Sequence, residues 1–138
     1  MVPFNDPLYP MINPEMLKNN IVVFDDYTSL EKNLFNHTIS LIQDLLERSR
    51  KMDITLIIIS HLTTDYQKTR KIIFECETFF ISPSSNPVSA KKFLVNYCDL
   101  DKCEAEYIVD EVDKPFMWLS YHKSLPRYFM TKEKIRLI

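Results

Sequence analysis

The sequence predicts an α/β domain, and three observations carry that expectation. Ile21-Val22-Val23-Phe24 and Ile54-Thr55-Leu56-Ile57-Ile58-Ile59 are short, largely β-branched apolar runs, the pattern of strands buried on both faces of a parallel sheet. Between them Leu34, Phe35, Thr38, Leu41, Ile42, Leu45 and Leu46 repeat with a helical period. A crossover of that length lets the two strands run parallel, and such crossovers are almost always right-handed. The expected fold is therefore a mostly parallel sheet flanked by helices, with an antiparallel hairpin near the carboxyl terminus.

In chain order, residues 1–20 carry Pro3, Pro7, Pro10 and Pro14, half of the eight prolines. Proline fixes its own φ and drives the preceding residue to extended geometry, so this stretch reads as an arm, with a short turn at Pro14–Lys18. After the first strand, Thr28 and Glu31 have capping-box spacing. The helix they open should run from about Leu30 to about Lys51, with Arg48, Arg50 and Lys51 favourable at its carboxyl end. The second strand ends in Ser60-His61. A helical or irregular stretch spans 65–76 and a third strand Thr78–Ser82. Asn86 and Pro87 then start a helix to Tyr97. A helix from Asp101 to Val112 is acidic on one side. Phe116–Tyr121 and Arg127–Met130 form the hairpin, and Lys132–Ile138 is a candidate last strand. Pro115 is the one hint of an internal boundary.

Composition narrows the function. The chain has 138 residues, a hydrophobic fraction of 46%, a charged fraction of 26% and a formal net charge of -2. These are the values of an ordinary globular domain. That charge argues against coating nucleic acid by bulk attraction, though a local basic patch is compatible with it. No secretory signal is visible, and no apolar run approaches the roughly 20 residues of a membrane helix. The expected location is intracellular. Cys76, Cys98 and Cys103 are an odd set without a CxxC pair and read as reduced thiols. Cys98 and Cys103 with His122 match no common zinc spacing. There is no glycine, where average usage of about 7% would give roughly ten. That rules out a glycine-rich phosphate loop within these residues.

The chemistry gathers at the strand ends. Burying an unpaired carboxylate costs several kcal/mol, so Asp25 and Asp26 belong on the sheet's carboxyl rim, where open α/β sheets bind ligands. If the two strands are neighbours, Ser60-His61 faces the same crevice. Each feature also has a plainer role: an acidic strand exit for Asp25-Asp26, a turn cap for Ser60, and a solvated helix end for Arg48 and Arg50.

Taken in order, strand-Asp-Asp, helix ending in Arg, strand-Ser-His, Thr69-Arg70 and strand-Pro-Ser-Ser-Asn-Pro resemble the carboxyl-terminal half of the poxvirus-type genome-packaging ATPases of large DNA viruses, in the FtsK–HerA group of P-loop motors. The aromatic tail and Pro126-Arg127-Tyr128 also resemble that family's closing segment. The resemblance runs from Ile21 to the carboxyl terminus. It implies a three-layer P-loop-type (RecA/FtsK-like) sheet, incomplete on its amino-terminal side, with residues 21–138 as the part of the domain from Walker B onward. It implies ATP as substrate, with Asp25 holding Mg²⁺ through water and Asp26 orienting or deprotonating the attacking water. Ser60 or His61 would be the γ-phosphate sensor, and Arg48, Arg50 or Arg70 a finger reaching a neighbouring subunit's nucleotide. Lys68, Lys71, Lys91 and Lys92, with Arg70, are candidates for touching DNA phosphates. The implied partners are a homo-oligomeric ring, double-stranded DNA and capsid or portal components, in host cytoplasm, viral factory or virion.

The departure from the family is its opening strand, Walker A loop and helix. Lys68-Thr69 and Lys123-Ser124 lack the glycines that let backbone amides wrap a phosphate. In the family's sheet the Walker A strand is central, so a gap in the fold is expected here. A Walker A-bearing partner would fill that gap if the chain is one product of a split gene. A degenerate remnant, or a generic α/β sheet acting as an interaction module, is the alternative. A Mg²⁺-dependent nuclease using Asp25 and Asp26 would need a further acid on a neighbouring strand end. Phe116, Trp118 and Tyr121 read as core or interface aromatics.

Overall fold

The computed structural model describes residues 12–61, 66–112, 114, 115 and 117–138; for residues 66–69 the description covers the backbone alone. Most of the proline-rich arm, the loop after His61 and Phe116 lie outside the described residues. The chain forms two compact units, and the break falls between residues 75 and 76, not at Pro115.

The first unit is the expected strand–helix–strand. Strand β1 (Ile21–Asp25) pairs in parallel with β2 (Thr55–Ile59), in register from Ile21 opposite Thr55 to Asp25 opposite Ile59. Helix α1 (Lys32–Arg48) connects them and is followed by a 3-10 turn, Ser49–Met52. Thr38, Leu41, Ile42 and Leu45 of α1 are buried, the i, i+3, i+4, i+7 stripe that the period predicts. With Phe24, Tyr27, Met52 and Ile54 they make the unit's core. The capping box at Thr28 is not formed. Residues Tyr27–Ser29 are instead a 3-10 turn, in which the Ser29 hydroxyl donates to the Asp26 carbonyl at 2.8 Å, and α1 starts after Glu31 without a side-chain cap. Helix α2 (Tyr66–Glu75) is tied to α1 by Lys71 on Glu47 at 2.5 Å, an ion pair that lowers the Glu47 carboxyl pKa. The expected turn near Pro14 is a 3-10 turn over Pro14–Leu17, capped by Asn13.

The second unit is a four-stranded antiparallel sheet in the order β3-β4-β5-β6: β3 (Thr78–Ile81), β4 (Leu119–His122), β5 (Tyr128–Met130) and β6 (Ile135–Leu137). Among the described strands, parallel pairing is thus confined to β1–β2. The third strand pairs with β4, well beyond it in the chain, and the break precedes it. Helix α3 (Pro87–Tyr97) is capped as expected: the Asn86 side chain accepts from the Ser89 amide at 3.0 Å, and Pro87 fills the first turn. Helix α4 (Lys102–Val112) has a reciprocal cap between Asp101 and Glu104, at 2.8 and 3.2 Å. Phe79, Phe93, Tyr121 and Phe129 form a chain of ring contacts inside this unit, with centroids 4.9 to 6.2 Å apart. Tyr121 is core, whereas Trp118 is exposed just before β4.

The missing glycines are replaced consistently. Among the described residues, the four backbone positions with positive φ are Asn19, Asp26, Asp53 and Asp99. Asn and Asp tolerate the left-handed region best among residues with a Cβ.

Candidate functional site

The parallel pair builds one rim. Asp25 ends β1 opposite Ile59, which ends β2, and Ser60-His61 follows directly. Asp26 leaves the strand in the left-handed conformation, φ 49 and ψ 34, and its amide donates to the Ile59 carbonyl at 3.3 Å. The register therefore puts Asp25, Asp26, Ser60 and His61 together at the carboxyl end of two neighbouring strands, as the spacing suggests. All four are exposed. Among the described residues neither carboxylate has an ion-pair or hydrogen-bond partner on its side chain.

Mg²⁺ suits such a donor set. It takes hard oxygen ligands, keeps several waters, and is commonly held by one or two carboxylates plus substrate phosphates. Two adjacent exposed carboxylates supply that much. Among the described residues no group of three or more His, Cys, Asp or Glu side chains is placed to hold a metal. The further acid that a self-sufficient nuclease centre needs is thus absent from the described set. Cys98 is buried, and desolvation pushes its thiol up to about 12, whereas Cys103 is exposed on α4.

The arginines separate. The amino end of the pair is marked by the Asn19 amide donating to the Met52 carbonyl at 3.0 Å and the Thr55 amide to the Asn20 carbonyl at 3.1 Å. Arg48 and Arg50 flank that end. A five-residue strand at roughly 3.3 Å per residue puts about 13 Å of β1 between them and Asp25. Arg48 is engaged there, at 2.6 Å from Glu15 and 3.4 Å from Asp44. Both arginines therefore lie at the end of the pair opposite Asp25 and Asp26. Arg70 is exposed on α2 with its guanidinium carbon 5.4 Å from the Phe74 ring centre. Of the candidate DNA-binding lysines, Lys71 holds Glu47. Lys91 bridges α3 to Glu106 and Asp110 of α4 at 3.0 and 3.3 Å, and the Glu106 hydrogen bond leads in raising its pKa. Lys92 is exposed, and the side chain of Lys68 lies outside the described residues.

One feature was hidden in the sequence. The strands are not buried on both faces. Phe24 is 3% exposed, but on the opposite face Ile21, Val23, Ile57 and Ile59 are 69, 52, 44 and 50% exposed. Alternation along β1 puts Asp25 on that same bare face. A continuous apolar run gives no sign of which face its own chain leaves uncovered.

No family model matches the sequence, and no solved structure matches the fold. No helix among the described residues is long and apolar enough to cross a membrane. The chain is similar to the uncharacterized protein V3 of Sputnik virophage, at 28% identity over 130 residues, which are 92% of this chain and 52% of that protein. It spans about half the length of that relative.

Proposed function

We propose that this chain is the Walker B-bearing half of a P-loop motor ATPase of the poxvirus-type packaging group, coupling ATP hydrolysis to translocation of double-stranded DNA into a capsid. The observation that carries the reading is the shared rim: two carboxylates without a side-chain partner among the described residues at one strand end, and Ser60-His61 on the end of its parallel neighbour. A virophage relative fits a viral setting, with the motor working in host cytoplasm, viral factory or virion.

In this reading Asp25 holds Mg²⁺ through water, and the ion supplies charge neutralisation at the nucleotide phosphates. Asp26 faces the attacking water, and its left-handed backbone turns it away from the strand axis. Phosphoryl transfer relies on positioned charge, so a turn fixed by the Ser29 hydroxyl and the Ile59 carbonyl is suited to the task. Ser60 or His61 reads the γ-phosphate; a neutral histidine can donate the one hydrogen bond required. Arg48 and Arg50, at the far end of β1 from the acids, and Arg70 on α2 are the candidates for a finger reaching a neighbouring subunit's nucleotide in a ring. With no glycine in its sequence, the chain offers no glycine-rich loop to cradle phosphates. ATP turnover is therefore expected only in complex with a Walker A-bearing polypeptide, and turnover by the pure chain, lost in Asp26→Asn, would overturn the reading.

A further inference from the structure

Two-stranded sheets are marginal in water, and parallel strands occur almost only with both faces covered. The β1–β2 pair breaks the second rule. Its Phe24 face lies in the core, while Ile21, Val23, Ile57 and Ile59 form a contiguous apolar face open to solvent. Apolar patches on the order of a few hundred Å² mark interaction sites. The second unit repeats the pattern by itself: Phe80, Met130 and Ile135 share one register row across its sheet, and all three are exposed. The β1–β2 face taken by itself calls for an occupant that covers both strands.

The similarity to the virophage protein gives that occupant a source. The match takes 92% of this chain but 52% of the relative, so the relative carries nearly as much polypeptide again outside the match. We infer that the Ile21, Val23, Ile57 and Ile59 face is the docking surface for the counterpart of that unmatched half, which lays an apolar helical face across β1 and β2. The inference deepens the ATPase reading, because Asp25 ends this same face and the occupant's phosphate-binding residues would arrive beside it. A second copy of this chain fits less well, since it brings acids and no phosphate loop to that edge.

The test co-expresses this chain with the segment of the virophage protein that lies outside the match. A one-to-one complex is expected by light scattering, with hydrogen exchange slowed over 21–25 and 55–59. The double variant Val23→Lys, Ile57→Lys should keep the chain's own urea midpoint and bind about 100-fold more weakly, the loss typical of buried anchor residues. Absence of a complex overturns the inference, as does a complex indifferent to the two lysines. A dimer of this chain alone that the two lysines dissociate also overturns it, assigning the face to a second copy. The ATPase reading fails separately: a complex that needs Val23 and Ile57 but does not hydrolyse ATP leaves the docking face standing and removes the motor.

Discussion

Strand β1 should respond to substitution with a period of two. Phe24 is 3% exposed beside Leu41, Ile42 and Leu45 in the first unit's core, and Val23 is 52% exposed on the bare face. Truncating a buried phenylalanine removes its transfer energy and leaves a cavity, so Phe24→Ala should cost about 3–5 kcal/mol. Against a total stability of roughly 5–15 kcal/mol, that is enough to unfold a marginal unit. With a urea dependence of roughly 2 kcal/mol per M, the midpoint should fall by about 2 M. Val23→Lys changes an exposed strand position and should cost less than about 1 kcal/mol. Urea titrations followed by amide exchange in α1 keep the readout within the first unit. If Val23→Lys costs as much as Phe24→Ala, the chain covers both faces of β1 by itself and the argument for a docking surface fails.

Other expectations follow from single groups. Cys98, buried with its thiol pushed up to about 12, is about one part in 10⁴ thiolate at pH 8; a thiol reagent should label exposed Cys103 at once and Cys98 only after unfolding. Because this thiol ionises at about 9 when unfolded, the unfolded chain loses its proton first, and stability should fall as pH rises from about 9 to 12. A Cys98→Ala variant should lose that part of the alkaline slope in a pH series of urea titrations. Asp53 sits at φ 52 after the 3-10 turn. Asp53→Gly should therefore stabilise by up to about 1 kcal/mol and Asp53→Val destabilise by about 1–2 kcal/mol, read by thermal melts. Asn86→Ala removes the α3 cap and should cost about 1 kcal/mol in the same assay.

Much of the local structure was legible because its causes are local. The β1–α1–β2 order, the α1 stripe and the Asn86-Pro87 start all follow from periodicity and capping chemistry within a few residues. The shared rim was legible once the crossover length implied parallel neighbours. The failures have different origins. Thr28 and Glu31 have capping spacing, but Asp26 adopts the left-handed conformation and takes up the turn with Ser29 first. The Asp101–Glu104 box, with Asp in the capping role and the same spacing, does form. Among the described strands the parallel sheet does not continue past β2; β3 pairs antiparallel with β4, where Phe79 lies opposite Tyr121 and Tyr121 opposite Phe129. The bare face was illegible in principle: Val23 and Phe24 are equally apolar, and only the placement of covering elements separates them. The lysines show the same limit, since Lys91 resembles a free cation until α4 brings Glu106 and Asp110 beside it.

The most direct measurement is steady-state ATP hydrolysis by this chain purified together with a Walker A-bearing polypeptide, with and without Asp26→Asn. The account predicts turnover in the complex, none by either part alone, and none in the variant, which should still fold and assemble because among the described residues the Asp26 side chain has no hydrogen-bond or ion-pair partner. A stable complex with no turnover, or a variant complex as active as the original, would contradict it.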